Sequence, residues 1–293
     1  MNDSHVIVEV CQRTLTDALS APVRISEVRP LGGGCINHAA ELVTNLGSFF
    51  AKWNQEVPAD LFVREAESLR ELGKACTILR IPQGIVAQSD PPLLITTFLP
   101  PPTNSQKSEE ERLGQGIAEL HRYTGDRYGF YHTNYCGATP QDNRWSSDWI
   151  DFFGQQRIRH LVALIEQRRG LSSGEWRVYE RLISRLPEWV GHCPPAALNH
   201  GDLWSGNYLP TADGPALIDP ACYYADREFD LALMAMFGGY GARVWSAYRE
   251  AFPLAVGWRE RQDLYTLYHY LNHYYLFGGG YGTQALAIAR RYG

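Results

Sequence analysis

An α+β fold in two lobes is predicted, with a β-rich lobe over residues 1–99 and a mainly helical lobe over 100–293. Three observations predict it. Up to residue 98, short apolar stretches alternate with turn residues, and the glycines Gly32, Gly33 and Gly34 stand between two strand-like runs. From Glu109 onward, apolar residues recur mostly at helical spacing. Between the two lies Leu99-Pro100-Pro101-Pro102, a run that cannot continue a strand ladder and makes a stiff connector.

Within the first lobe, Val6, Val10 and Leu15 are broadly in phase for a helix over 6–20, which Pro22 ends. Val23, Ile25 and Val28 suggest a strand leading into the three glycines. Without Cβ atoms, glycines let a backbone approach a ligand, and their N–H groups can face phosphates; a plain glycine hairpin is the other reading. Strands follow near Ala40–Thr44 and Ser48–Trp53, with Gly47 turning between them and Lys52 in an apolar setting on the second. A helix is expected over 59–72. Its apolar face holds Leu61, Leu69 and Leu72, and Glu65 lies on that face, four residues from both Leu61 and Leu69. A buried carboxylate is costly unless paired. Arg64, Glu67, Arg70 and Glu71 lie on other faces, so Lys52 is the expected partner of Glu65. Strands over 84–88 and 93–98 complete the lobe.

The second lobe opens with a helix over 109–123, striped by Leu113, Ile117 and Leu120. His121 beside the stripe reads as a packed structural residue. Residues 125–146 read as an aromatic loop. Helices are expected at 147–168, 174–187, 242–251, 258–277 and 283–292, and another opens at the acidic cluster Asp226-Arg227-Glu228-Phe229-Asp230. Arg227 and Asp230 are expected to form a buried ion pair. The tyrosines at 265, 268, 270, 274 and 275 read as core, with some walling a ligand site.

Composition excludes several function classes. The 293 residues are 45% hydrophobic and 20% charged, ordinary for a soluble protein. A net charge of −5 and a pI near 6.0 argue against a nucleic-acid surface or a polybasic membrane anchor. No apolar run approaches the ~20 residues of a membrane span. The amino terminus lacks the basic and apolar stretches of a signal peptide. Six scattered cysteines without a Cys-x-x-Cys pair fit reduced thiols, so a cytoplasmic protein is expected.

The chemistry concentrates at 198–220. His200-Gly201-Asp202 is followed by Asn207, five residues past the Asp, and by Asp219 twelve residues later, behind the short apolar run Ala216, Leu217, Ile218. That run reads as a buried strand delivering a carboxylate at its end. This is the spacing of a kinase catalytic loop: Asp202 would take the proton of an attacking hydroxyl, and Asn207 and Asp219 would bind magnesium, a hard ion that prefers oxygen ligands. A polar turn bonding its own backbone is the bland alternative.

His200-Gly201-Asp202-Leu203-Trp204-Ser205-Gly206-Asn207, with Asp219-Pro220-Ala221-Cys222-Tyr223 and Asp226-Arg227-Glu228, resembles the fructosamine kinase (ketosamine-3-kinase) family. Its wider relatives are aminoglycoside phosphotransferases and choline kinases on a protein-kinase-like fold. The Gly-Gly-x-Ile-Asn at the glycine turn and the aromatic segment from Asn134 to Trp145 carry the resemblance further. The resemblance implies ATP and Mg2+ as cofactors. It implies that Gly32, Gly33, Gly34, Lys52 and Glu65 bind the nucleotide and that the hinge at Phe98 and Leu99 meets the adenine. Family members often carry an acidic residue near Thr97, which is absent here. The implied acceptor is the 3-hydroxyl of a ketosamine, free or on a protein, and its phosphorylation leads to deglycation. Trp204 is the candidate sugar platform, with a core aromatic as the other reading. Cys35 in the glycine turn is a candidate redox site. The expected assembly is a monomer or weak homodimer. Two alternatives stay open: another small-molecule phosphotransferase, and a non-catalytic nucleotide-binding protein.

Overall fold

The structure, a computed structural model, describes residues 3–32, 37–102 and 108–293. Helix α1 (Asp3–Leu19) precedes β1 (Ile25–Pro30), β2 (His38–Thr44) and β3 (Gly47–Trp53); α2 (Leu61–Ala75) then leads to β4 (Gly84–Ser89) and β5 (Pro92–Thr97). The five strands form one antiparallel sheet in the order β1-β2-β3-β5-β4. Central β3 pairs Ala39 with Lys52 on one side and Lys52 with Leu94 on the other, so Lys52 sits in the middle of the ladder. Alternation then sorts the side chains. Phe49 and Ala51 point into a cluster with Leu15, Leu42, Leu93 and Ile95, whereas Lys52 faces α2. Leu61, Phe62, Ala66 and Leu69 pack α2 against Leu94.

The remainder is mostly helical. It comprises α3 (Ser108–Arg122), α4 (Trp149–Asp151), α5 (His160–Arg169), α6 (Ser173–Trp189), α7 (Glu228–Phe237), α8 (Ala242–Ala251), α9 (Trp258–Phe277) and α10 (Tyr281–Tyr292). A π-helical stretch, Phe152–Arg159, joins α4 to α5, so the expected single helix at 147–168 is one nearly continuous rod with a widened middle. Short strands are inserted: β6 (Thr124–Gly125), β9 (Ala196–Asn199) and β12 (Tyr223–Ala225) form one sheet, and β10 (Tyr208–Thr211) pairs with β11 (Gly214–Leu217). The segment read as a loop over 125–146 contains the hairpin β7 (Asn134–Cys136) and β8 (Thr139–Gln141). The large core includes Trp149, Phe152, Phe153, Phe229 and Tyr265 in mutual ring contact.

Tyr265 and Tyr268 are core residues as expected. Each hydroxyl is engaged internally, Tyr265 donating to Asp226 at 2.8 Å and Tyr268 to Gln141 at 2.7 Å. The ion pair expected between Arg227 and Asp230 is not formed. Arg227 donates instead to the Tyr248 hydroxyl and the Phe252 carbonyl, both at 3.1 Å, and stacks 3.5 Å over the Phe252 ring. Asp230 is wholly buried elsewhere, accepting backbone amides. Glu71, on a face of α2 other than that of Glu65, is also buried and accepts from Tyr224 at 2.8 Å. No described helix is long and apolar enough to cross a membrane.

Candidate active site

Lys52 reaches across from the sheet. Its ammonium lies 3.0 Å from Glu65 Oε2 and 2.9 Å from Asp219 Oδ1, and the residue is only 6% exposed. The expected Lys52–Glu65 pair is therefore formed, and Asp219 joins it. Burial pushes the Glu65 carboxyl up, against the pull of the Lys52 ammonium. Burial opposes the charge on Lys52, but the two carboxylates outweigh it and hold Lys52 protonated well above the usual lysine range.

Asp202 and Asn207 sit on the loop that follows β9. Asn207 Nδ2 donates to the Asp202 carbonyl at 2.9 Å and to Asp202 Oδ2 at 3.1 Å. The backbone of Ile218 donates to the Asn207 carbonyl at 3.0 Å, which brings Asp219 beside the loop. Lys52 thus touches Asp219 directly, and Asp202 and Asn207 are linked to it through the backbone of Ile218, so the four gather at one site. Burial, with the negative charges of Asp219 and Asp230, pushes the Asp202 carboxyl up to about 7.

Backbone geometry at two positions explains the local sequence. Gly201 has φ +83°, and a Cβ there would lie 2.1 Å from the Ala221 carbonyl oxygen, so only glycine fits between His200 and Asp202. Asp219 itself is left-handed, with φ +55°, a strained value for a residue with a side chain, and it turns the chain sharply out of β11.

The loop is anchored from α7. Asp230 accepts from the amides of His200 at 2.6 Å and Gly201 at 2.9 Å, and His121 Nε2 lies 3.3 Å away. His121 also meets the Tyr248 hydroxyl at 2.9 Å, so the histidine supports the loop indirectly. His200 is fully buried. Its Nε2 donates to the Ile218 carbonyl at 3.0 Å and its Nδ1 accepts from the Asp202 amide at 3.3 Å, which fixes one neutral tautomer; burial lowers its pKa. His200 thus clips the Asp202 loop to the strand delivering Asp219. Sequence reasoning gave Asp230 the wrong partner and counted His200 in the motif without giving it a role; a histidine two residues before Asp202 was the available signal.

Trp204 is 38% exposed and lies over Gly206, where a Cβ would fall 2.1 Å from the ring. It is a partly open aromatic and not a core residue. Tyr240 donates to the Trp204 carbonyl at 3.1 Å, and Gly239 packs on Ser205. The same segment begins with Phe237, whose ring lies 4.9 Å from His273, which also contacts Phe277 and Tyr281. This half-exposed aromatic group adjoins Trp204 through the 238–241 turn and was not singled out in the sequence.

Gly32 is exposed, two residues after β1. Gly33, Gly34 and Cys35 lie outside the described residues. Phe98 and Leu99 are half-buried directly after β5. Thr97 accepts from the Gln83 amide at 3.0 Å through its hydroxyl and donates its own amide to the Gln83 carbonyl at 2.9 Å. Its side chain is committed to the sheet.

The donor set suits Mg2+. Asn207 directs its amide nitrogen to Asp202, which leaves its oxygen for a cation, and Asp219 adds a partly exposed carboxylate.

Comparison with known proteins gives the family. A protein-ribulosamine 3-kinase of Oryza sativa subsp. indica is 39% identical over 276 residues, covering 92% of this chain and 79% of the relative. The crystal structure of a candidate fructosamine-3-kinase from Thermobifida fusca YX-ER1 superposes with a TM-score of 0.84 at 32% identity, over 95% of this chain and 96% of that one. A thermostable mutant of an aminoglycoside phosphotransferase shares the fold, with a TM-score of 0.62 at 17% identity over 95% and 97% of the two chains. With the sequence profile named fructosamine kinase matching residues 7–292, almost the whole of its length, the chain belongs to the fructosamine kinase family.

Proposed function

We infer that this chain performs the ketosamine 3-kinase reaction for which its relatives are named. It is an ATP-dependent phosphotransferase acting on a hydroxyl group, and Lys52, Glu65, Asp202, Asn207 and Asp219 do the work. The observation that carries this reading is the meeting of Lys52 with both Glu65 and Asp219 while Asn207 ties Asp202 to the same turn.

Phosphoryl transfer depends on positioning and charge neutralisation more than on covalent chemistry. Lys52, oriented by Glu65, holds the phosphates of ATP. Asn207 and Asp219 would hold Mg2+, which would supply positive charge to the phosphate oxygens. Asp202 accepts the proton of the acceptor 3-hydroxyl. A carboxyl raised to about 7 by burial is better matched to that task near neutral pH than an ordinary aspartate. The backbone at Phe98 and Leu99 would meet the adenine, and Gly32 would approach the phosphates. The crevice divides a lobe over 1–99 from one over 100–293. Trp204 offers a flat apolar face to the sugar of the acceptor. The acceptor is a free or protein-linked ketosamine, the protein works as a monomer or weak homodimer, and its scattered cysteines favour the reducing cytoplasm.

Magnesium-dependent ATP consumption against fructosamines, ribulosamines and plain alcohols tests the reading. The expected result is turnover with the ketosamines and little with the alcohols. Turnover with aminoglycosides or simple amino alcohols instead would reassign the acceptor, and no turnover with any amine-linked sugar would overturn the function.

A further inference from the structure

The three residues of β7 face three different parts of the site. Asn134 donates to the Cys222 carbonyl at 2.8 Å, three residues beyond Asp219. Cys136 Sγ lies 4.0 Å from the carbonyl of Gly201, next to Asp202. Tyr135, on the opposite face of the strand, donates its hydroxyl to Asp60 Oδ1 at 2.8 Å. Strand alternation is what lets one short segment address both the catalytic loops and the helix bearing Glu65.

Asp60 precedes α2 at the position where an aspartate ordinarily accepts a helix amide. Here it does not cap. One oxygen takes the Tyr135 hydroxyl and the other takes Arg64 Nε at 3.0 Å. The start of α2 is therefore fastened to the hairpin, five residues before Glu65. The hairpin is itself firmly held. Asn134 Oδ1 accepts from Gln141 at 2.9 Å and from Asn143 at 2.6 Å, and Gln141 also donates to the Ala221 carbonyl at 3.2 Å. Asn143 accepts from Arg157 at 2.7 Å, and this 1%-exposed guanidinium stacks 3.9 Å over the Tyr223 ring.

We propose that Tyr135 is a positioning residue for phosphoryl transfer. Through Asp60 it sets the start of α2 so that Glu65 meets Lys52, while its strand neighbours hold the turns bearing Asp202 and Asp219. This rests on the assignment of Lys52 and Glu65 to the nucleotide phosphates.

The test is a double-mutant cycle of Tyr135→Phe and Glu65→Gln, reading kcat and KM for ATP and for a ketosamine separately, with Tm as a folding control. Tyr135→Phe is expected to lower kcat/KM for ATP about fivefold, the scale of one ordinary intramolecular hydrogen bond, with the ketosamine KM unchanged. In the Glu65→Gln background the same change should have no further effect. Asp60→Asn should reproduce the loss and add nothing to Tyr135→Phe, and it carries the test if Tyr135→Phe does not fold. An unchanged kcat/KM for ATP, or an equal loss in both backgrounds, overturns the proposal alone. If Glu65→Gln by itself leaves turnover intact, the underlying Lys52–Glu65 assignment fails, and the proposal falls with it.

Discussion

Lys52 stands on the central strand of a regular sheet, with ladder partners on both sides, and finds Glu65 on a regular helix. Asp202 approaches the same crevice from a loop with a left-handed glycine before it, held by the side chains of Asn207 and Asp230. One side of the site is fixed by periodic packing and the other by polar anchors reaching irregular backbone. The packed side can lose a partner and keep its shape. The anchored side concentrates several functions in single carboxylates, so its residues should be the less tolerant of change.

The sharpest break comes at Asp202. Asp202→Asn removes the proposed base while keeping the Asn207 contact, and turnover with a ketosamine should fall about 10³-fold with Tm nearly unchanged. A variant turning over at the wild-type rate would remove Asp202 from the chemistry.

The next largest effect is expected at the anchor. Burial pushes the Asp230 carboxyl up, but its bonds with His121 and the loop amides prevail and hold it below the usual aspartate range. A depressed carboxyl stabilises the fold above its unfolded pKa, and that contribution disappears as pH falls through the folded value. Asp230→Asn should therefore cost about 3 kcal/mol at pH 7, or about 5 °C in Tm, and the gap to wild type should narrow below about pH 4. Equal melting curves for the two proteins across pH 3–8 would show that the amides need no charge.

The smallest expected effect tests the exposed aromatic beside the loop. Trp204→Ala should raise KM for the ketosamine about tenfold and leave KM for ATP alone. A rise in both would make the indole a support of the loop, with no role as an acceptor surface.

The same contrast governs what could be read from the sequence. Periodicity located α2 and put Glu65 on its buried face, and the cost of a buried carboxylate then demanded Lys52. The polar spacing of Asp202, Asn207 and Asp219 marked the loop, and the proline run at 100–102 marked the end of the sheet region. What escaped was non-periodic. A three-residue strand such as Asn134–Cys136 is too short to display alternation. The π-helical turn at Phe152–Arg159 has no side-chain signature, although Phe152, Phe153 and Ile158 read as ordinary helix core. Arg227 and Asp230 look like partners because they are opposite charges three residues apart. Burial changes the choice: Asp230 takes two amides that would otherwise be orphaned, while Arg227 finds carbonyls and an aromatic ring.

Trp204 and Gly206 share one volume, since the indole rests where any larger residue at 206 would begin. The two positions cannot drift independently. A bulkier residue at 206 would evict the ring, and a small residue at 204 would remove the reason for glycine two places on. Libraries intended to test the proposed acceptor face should vary them as a unit, because randomising either alone would mostly disturb the packing of the other.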